Sequence, residues 1–358
     1  FEFLAACHEF ANIIDDEDYE CGLPIAIDGS CSGVQHYSAA SLSDADGEMV
    51  NLTNTDKPQD VYQRVADKVV EKLEKIKEGE DLDTTILSLY PNYEGKLRSQ
   101  AYRDRKNTYP ELAKLWLDYG VNRSTVKRNC MTYGYSSKKY GFSDQLYDDF
   151  MKPLKDKVMR GELQVHPFKD VERKAASFLA AINYQTIEEV ISSVARGLEF
   201  FQSSVDALSN ENKAMRWQTP IGFPVVQKYT HWNAKKVRIF LYDRVAMVEK
   251  RSQITVRERD DTKIDRKKSR SAISPNVIHS MDASHLMSTV LYCKDEGIND
   301  FFVIHDSFAT TINNTSTLYS CVREAFIDMY KDWCLYSDIQ NQGNLNLEDI
   351  RESAYCFS

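Results

Sequence analysis

The alternation of apolar and polar positions divides the chain into many helices and a few short strands. Residues 1–20 open as a helix (FEFLAACHEFANII) and end in an acidic, turn-prone stretch. LPIAIDGSCSG follows, an apolar run with Pro24 before it and small residues after it, which predicts a strand entering a tight turn. Over 56–78, Val61, Val65, Val69 and Leu73 recur every four residues, the spacing of an amphipathic helix. Residues 79–109 are polar and irregular. Residues 111–120 and 122–135 read as helices, the second opening on Asn122-x-Ser124 and weakened near Gly134. The spacing over 168–208 predicts a long helical stretch with one apolar side. Residues 223–259 alternate as hairpin strands do, and a helix is expected over 275–297, beginning at Pro275. FFVIHDSFATTI has two β-rich arms around a His-Asp-Ser turn, a hairpin signature, and 316–336 form a last helix before the tail GNLNLEDIRESAYCFS. No internal repeat or Gly/Ser linker interrupts the pattern. The fold class is α+β, helix-rich, with a small antiparallel sheet.

With 358 residues the chain can bury a sizeable core. No stretch approaches the roughly 20 apolar residues of a membrane span, so no membrane partner is expected. The eight cysteines lie far apart without a C-x-x-C pair, which argues against a disulfide framework and a zinc ribbon. Charge changes the picture more. The total is −9, yet residues 96–139 hold eleven Lys/Arg against three Asp/Glu and residues 228–270 hold fourteen against six. Two basic tracts in an acidic body can focus a local field that attracts an anionic polymer, whatever the total.

Two aspartates stand out by context. Asp28 ends an apolar strand and is followed at once by Gly29-Ser30-Cys31-Ser32-Gly33, and Asp306 sits at the tip of an apolar hairpin. Such residues are commonly turn formers or helix caps, and composition does not show that the two meet. Two carboxylates that did meet would suit hard divalent ions roughly 4 Å apart, the arrangement of two-metal phosphoryl transfer. A second constellation is Arg123, Lys127, Met131 and Tyr135, spaced by four, which a helix would gather within a sector of about 120°. Two cations, an apolar residue and a ring in that order suit a nucleotide, triphosphate at the cationic end and base against the ring. The same spacing also suits a solvated basic helix with Met131 and Tyr135 in the core.

DGSCSGVQHYSAA (28–40), RSTVKRNCMTYGYSSKKYGF (123–142) and HDSFAT (305–310) resemble motifs A, B and C of the phage-type single-subunit DNA-dependent RNA polymerases. QDVYQRVADKV (59–69), WLDYGVNRS (116–124), TPIGFPV (219–225), PNVIHSMDASHL (275–286) and GNLNLEDI (343–350) match further, in the family's order. The resemblance implies a right-hand palm and fingers with a small antiparallel palm sheet. It divides the chain into palm with motif A (1–78), fingers with the motif B helix (79–225), a hairpin insertion serving as promoter-specificity loop (226–270), and palm with motif C and the C-terminal tail (271–358).

The resemblance also implies site residues. Asp28 and Asp306 would bind two Mg²⁺ ions with the Gly29 carbonyl assisting, and His305 and Ser307 would flank them. Arg123 and Lys127 would meet the triphosphate, and Lys127 would help neutralise or protonate pyrophosphate. Tyr135 would close the pocket and sense the sugar, with Tyr62 and His279 near the ribose 2′-hydroxyl. Gly33 would leave room where family A DNA polymerases, the nearest alternative, place a bulky Glu. Lys235, Lys236 and Arg238 would reach DNA from the hairpin. The implied partners are DNA template, nascent RNA, rNTPs and accessory transcription factors, in the cytoplasm of an infected bacterial host. The chain opens on Phe1 inside an apparent helix, and the family's N-terminal domain and thumb are missing. A second polypeptide supplying them, as in a split heterodimeric polymerase, is therefore expected, the alternative being a piece of one longer polypeptide; for the function, a non-catalytic remnant is the other reading. The sequence departs from the family at Tyr133-Gly134, Ser136 and Ala309, so the motif B helix is expected to end or bend differently.

Overall fold

Apolar stripes on the longer helices build most of the core of this protein, and a small antiparallel sheet packs against it. The computed structural model describes residues 1–16, 18–79, 108–243, 248–331 and 345–357. Residues 80–107 of the expected irregular stretch lie outside these, as do 332–336 of the last helix and 343–344 of the tail. In chain order the N-terminal elements are α1 (Glu2–Asp15), β1 (Pro24–Asp28), α2 (Ser32–Ser41), α3 (Asp44–Met49) and α4 (Val61–Glu78). Helix α4 follows its predicted stripe. Val61, Val65, Val69, Leu73 and Ile76 are buried, Asp60 accepts the backbone N–H groups of Tyr62 and Gln63, and Gly79 at φ 82° ends the helix.

Next come α5 (Tyr109–Tyr119), α6 (Arg123–Tyr133), α7 (Lys139–Leu146), a π-helical turn (Tyr147–Met151), α8 (Lys152–Met159), α9 (Glu172–Val190) and α10 (Ser192–Asn210). Helices α4, α5, α6, α7 and α9 pack together around the buried Trp116, whose Nε1 donates to the Ala175 carbonyl at 2.9 Å. The stretch expected as one helix over 168–208 is two. The chain turns at Ile191 (φ −109°, ψ 71°), and the buried Asp46 of α3 accepts the Ser193 N–H at 2.6 Å. A tertiary carboxylate thus satisfies an orphan donor of the new helix end, which no local pattern announces.

Strands β2 (Met215–Gln218) and β3 (Pro224–Gln227) pair, and β4 (Thr230–Asp243) with β5 (Val248–Ile264) forms a long antiparallel ribbon. Helix α11 (Arg266–Asp295) contradicts the expected start at Pro275. Asp265 caps it by accepting the Lys268 N–H, and Pro275 sits inside. An interior proline costs a helix about 3 kcal/mol or more. Burial of Ser269, Ile273 and Ser274 in the turns before it offsets that cost, as does the Gln227 side chain donating to the Ser269 carbonyl.

Strands β6 (Phe302–Ile304) and β7 (Ser307–Thr311) form the predicted hairpin, and α12 (Thr315–Lys331) and α13 (Asp349–Glu352) close the chain. The main sheet has the order β1-β7-β6, antiparallel throughout. Its register pairs Ile27 with Phe308 and Phe308 with Val303 on one face, and Asp28 with Ser307 and Ser307 with Ile304 on the other. Ile27 and Phe308 are buried on the helical side, so strand alternation sends Asp28 and Ser307 to the open side. The seven described cysteines are free thiols.

Candidate active site

Asp28 and Asp306 come together because β1 and β7 are neighbours. Asp28 stands opposite Ser307, and Asp306 precedes Ser307 in a two-residue tip whose other member, His305, has φ 55°. An atom added to Gly29 as Cβ would lie 3.7 Å from Asp306 Oδ2, so the turn after Asp28 runs past the second carboxylate. The Asp306 carboxyl is held above the usual carboxylate range, first by burial and then by the charge of Asp28. A carboxyl made harder to ionise by burial and by a second carboxylate beside it belongs to a donor set that a divalent cation would relieve. Among the described residues no group of three or more His, Cys, Asp or Glu gathers as a metal site.

The C-terminal tail braces this turn. Phe357 forms an antiparallel bridge with Gly29, and the buried Gln35 donates to the carbonyls of Val50 and Cys356. The buried Arg323 donates to the carbonyls of Ser353 and Phe357, with its guanidinium over the Tyr319 ring. Sequence reasoning missed Gln35 and Arg323. Their only signal is a polar residue in a helical sequence, a pattern that solvated faces share.

Helix α6 departs from the expected geometry. It begins with a capping box between Asn122 and Thr125 and ends at Tyr133, with Ser136 left-handed at φ 64°. Tyr135 therefore lies beyond the helix, off the shared face expected of Arg123, Lys127, Met131 and Tyr135. The early ending anticipated from Gly134 and Ser136 is what occurs. Tertiary contacts nonetheless bring Tyr135 to the pocket. Its ring lies 5.0 Å from that of His279, whose ring in turn lies 6.5 Å from His305. A Cβ on Gly33 would stand 3.7 Å from the Tyr135 hydroxyl oxygen and 4.0 Å from Ile278 Cγ2. Burial first, and Asp282 next, push the Tyr135 hydroxyl up, so it stays protonated and able to donate.

The cationic end is separate. Arg123 pairs with Asp60 at 2.5 Å and lies 5.0 Å over the Tyr62 ring, which Lys127 approaches at 5.9 Å. Tyr62 is buried and shares a hydrogen bond with Cys31, so it lines the cationic side, while Met131 is exposed.

These observations fix a layout in which two carboxylates at a strand junction lie near a tyrosine–histidine corner, with a pair of cations over Tyr62. A family model described as DNA-dependent RNA polymerase matches residues 1–342. The chain belongs to that family. It is 32% identical to the T7 RNA polymerase of Escherichia phage T7 over 100% of this chain and 42% of that protein. It is 32% identical to the DNA-directed RNA polymerase of Enterobacteria phage K11, again over the whole chain and 41% of the relative. Mitochondrial DNA-directed RNA polymerase 1 of Arabidopsis thaliana is 29% identical over 100% of the chain and 34% of its own length. The chain thus spans about two fifths or less of these relatives.

The ribbon of β4 and β5 has two unlike faces. Pairing places Trp232, Lys236, Arg238 and Phe240 on one face with Arg251, Arg257 and Arg259, and Arg251 lies 5.5 Å over Phe240. The other face carries Lys235, Val237, Ile254 and Val256, with Lys235 paired to Glu258 at 3.0 Å. The three basic residues expected to act together are therefore divided: Lys236 and Arg238 share the basic face, and Lys235 is turned away from it.

Proposed function

We propose that this chain is the catalytic portion of a DNA-directed RNA polymerase, transferring nucleotidyl groups from rNTPs to an RNA 3′-hydroxyl on a DNA template. The observation that carries the proposal is the meeting of Asp28 and Asp306 on the open face of the β1-β7-β6 sheet. Residues 1–78 and 271–358 would serve as palm, 79–225 as fingers and 226–270 as the promoter-specificity insertion. The membership of the family supports this division.

The carboxylates of Asp28 and Asp306 would hold two Mg²⁺ ions, with the Gly29 carbonyl as a further oxygen ligand. Bound there, Mg²⁺ supplies Lewis-acid activation of the attacking hydroxyl and neutralises charge developing at phosphorus. The chain's own residues would do the rest. Arg123 would leave Asp60 for the triphosphate, and Lys127 would stabilise the pyrophosphate as it departs. The protonated Tyr135 hydroxyl and His279 would hold the ribose, with Gly33 leaving space beside them. His305 and Ser307 would fix the tip that carries Asp306. Such catalysis is positioning and charge neutralisation. The basic ribbon face with Lys236 and Arg238 would lie along DNA, where a two-stranded ribbon fits the major groove.

A second polypeptide would supply an N-terminal domain and thumb, with accessory transcription factors as further partners. Mass analysis of the natively purified enzyme tests this, and one subunit of twice this mass or more would reject the split. Phage relatives support action in the cytoplasm of an infected bacterium, and among the described residues no helix is long and apolar enough to cross a membrane. The activity itself is tested by primed-template extension with Mg²⁺ and rNTPs or dNTPs. Equal or better use of dNTPs, or no extension by the assembled enzyme, would reject the proposal.

A further inference from the structure

Between α2 and α11 lies a buried charge that the mechanism above does not use. Asp282 is 8% exposed, and its Oδ1 accepts from the Ser32 hydroxyl and lies 2.8 Å from His36 Nε2. His36, itself 2% exposed, meets the Tyr330 hydroxyl of α12 through Nδ1 at 2.6 Å. The Tyr330 hydroxyl also reaches Met281 Sδ at 3.5 Å. One carboxylate oxygen therefore joins the first two turns of α2 to α11, and a tyrosine carries the connection on to α12. Burial alone would push the Asp282 carboxyl up, but His36 and then Ser32 more than offset it, so the group is held below its ordinary range.

A buried ion pair is weak evidence for stability, because desolvation consumes most of the Coulomb gain. What it does provide is a fixed spacing between the elements it joins, and here both elements carry parts of the ribose corner. Ser32 and His36 stand four residues apart on one face of α2, and Gly33 lies between them. Asp282 follows His279 by three residues on α11, one turn along the same helix. The gap those helices define is narrow: the Cβ position of Gly33 is 3.7 Å from the Tyr135 hydroxyl and 4.0 Å from Ile278.

We propose that Asp282 is a positioning residue for sugar selection, bridging Ser32 and His36 so that α2 and α11 hold Gly33, Tyr135 and His279 at the spacing that fits a ribonucleotide. The proposal rests on the polymerase reading above. A site built to hold a hydroxyl rejects the analogue lacking it only while its polar groups stay in place. Loosening the clamp therefore erodes discrimination without removing any group that touches the nucleotide.

The test is single-nucleotide addition by the assembled polymerase on a primed template, with kcat/KM measured for a matched rNTP and dNTP. Asp282→Ala should lower the rNTP/dNTP ratio about tenfold, or ~1.4 kcal/mol. Asp282→Asn and Ser32→Ala, which each keep part of the clamp, should lower it by roughly two- to fivefold, that is ~0.4–1 kcal/mol. Ile76→Ala, a cavity near the far end of α4, should weaken the fold and leave the ratio alone. If Asp282→Ala fails to assemble, the two milder variants decide. The inference is overturned when the unmutated enzyme adds rNTPs and the variants keep its ratio within twofold, whatever happens to kcat. An unmutated enzyme that does not prefer rNTPs overturns both this inference and the polymerase reading, an outcome distinct from a failed clamp.

Discussion

Gly197 in α10 faces the ring of Tyr37, and replacing it by alanine opposes two effects of different size. In a helix interior alanine is favoured over glycine by about 1 kcal/mol, so intrinsic propensity alone makes Gly197→Ala stabilising. The added Cβ, however, would overlap Tyr37 Cε1 and stand 2.6 Å from Cδ1, where carbon atoms ordinarily rest ~3.5–4 Å apart. The ring cannot yield easily. Tyr37 is 1% exposed, sits near the Phe201 ring, and meets the Ser274 hydroxyl at 2.6 Å, while Ser274 donates to the Gly134 carbonyl. Overpacking of this kind costs about 1–3 kcal/mol, and breaking a buried hydrogen bond adds roughly 1–3 kcal/mol. After subtracting the propensity gain, a net destabilisation of about 1–5 kcal/mol is expected. It should appear as a lower urea midpoint at unchanged m-value. The Gly134 carbonyl that Ser274 holds lies one residue before Tyr135, so the nucleotide KM should rise as well. A double-mutant cycle with Tyr37→Leu checks the cause. The smaller side chain makes room for the methyl, so the pair should be less destabilising than the sum of the singles by about 1–2 kcal/mol. A neutral or stabilising Gly197→Ala, or strict additivity, would refute the reasoning.

Asp306→Asn should reduce extension by roughly 10³-fold or more while template binding persists; primed extension and a gel-shift on the same preparation report the two. His285, buried and donating from Nε2 to the Val322 carbonyl of α12, is pushed down to about 3, first by burial and then by His36. Its neutral form is the folded form, so its contribution to stability is complete above the unfolded value of ~6.5 and is lost as pH falls from there toward 3. Between pH 7 and 5 the loss is about 2 kcal/mol, and His285→Gln should remove that part of the pH dependence; equal slopes for the two proteins in urea titrations at both pH values would contradict it. On the ribbon, the pair Lys236→Glu and Arg238→Glu should weaken DNA binding and flatten the salt dependence by at least two phosphate contacts, roughly −0.9 each in log–log slope, whereas Lys235→Ala, whose partner is Glu258, should leave the slope unchanged. Arg123→Ala should raise the KM for rNTPs about tenfold with less change in kcat, if its guanidinium exchanges Asp60 for the nucleotide as proposed.

Much of this protein is local in origin and so visible in the sequence. The stripe of Val61, Val65, Val69 and Leu73 produces α4 because a period near 3.6 has one geometric solution, and the β6–β7 hairpin follows from two apolar arms around His305-Asp306. The glycine and serine after Tyr133 announce the end of α6 for the same reason, since Ser136 occupies a backbone region that does not continue a helix. What no local pattern contains is which elements become neighbours. Asp46 caps α10 across the core, and the turns flanking Pro275 are held by burial, so one expected helix divides and another begins nine residues early. Asp28 and Asp306, conspicuous only as strand-end residues, acquire their mutual field when β1 lies against β7. Asp282 and His36 show the difference most clearly. Each is an ordinary polar residue in a helical sequence, and only the docking of α2 on α11 removes both from water and obliges them to find each other, because a buried charge left alone is too costly for the fold to keep.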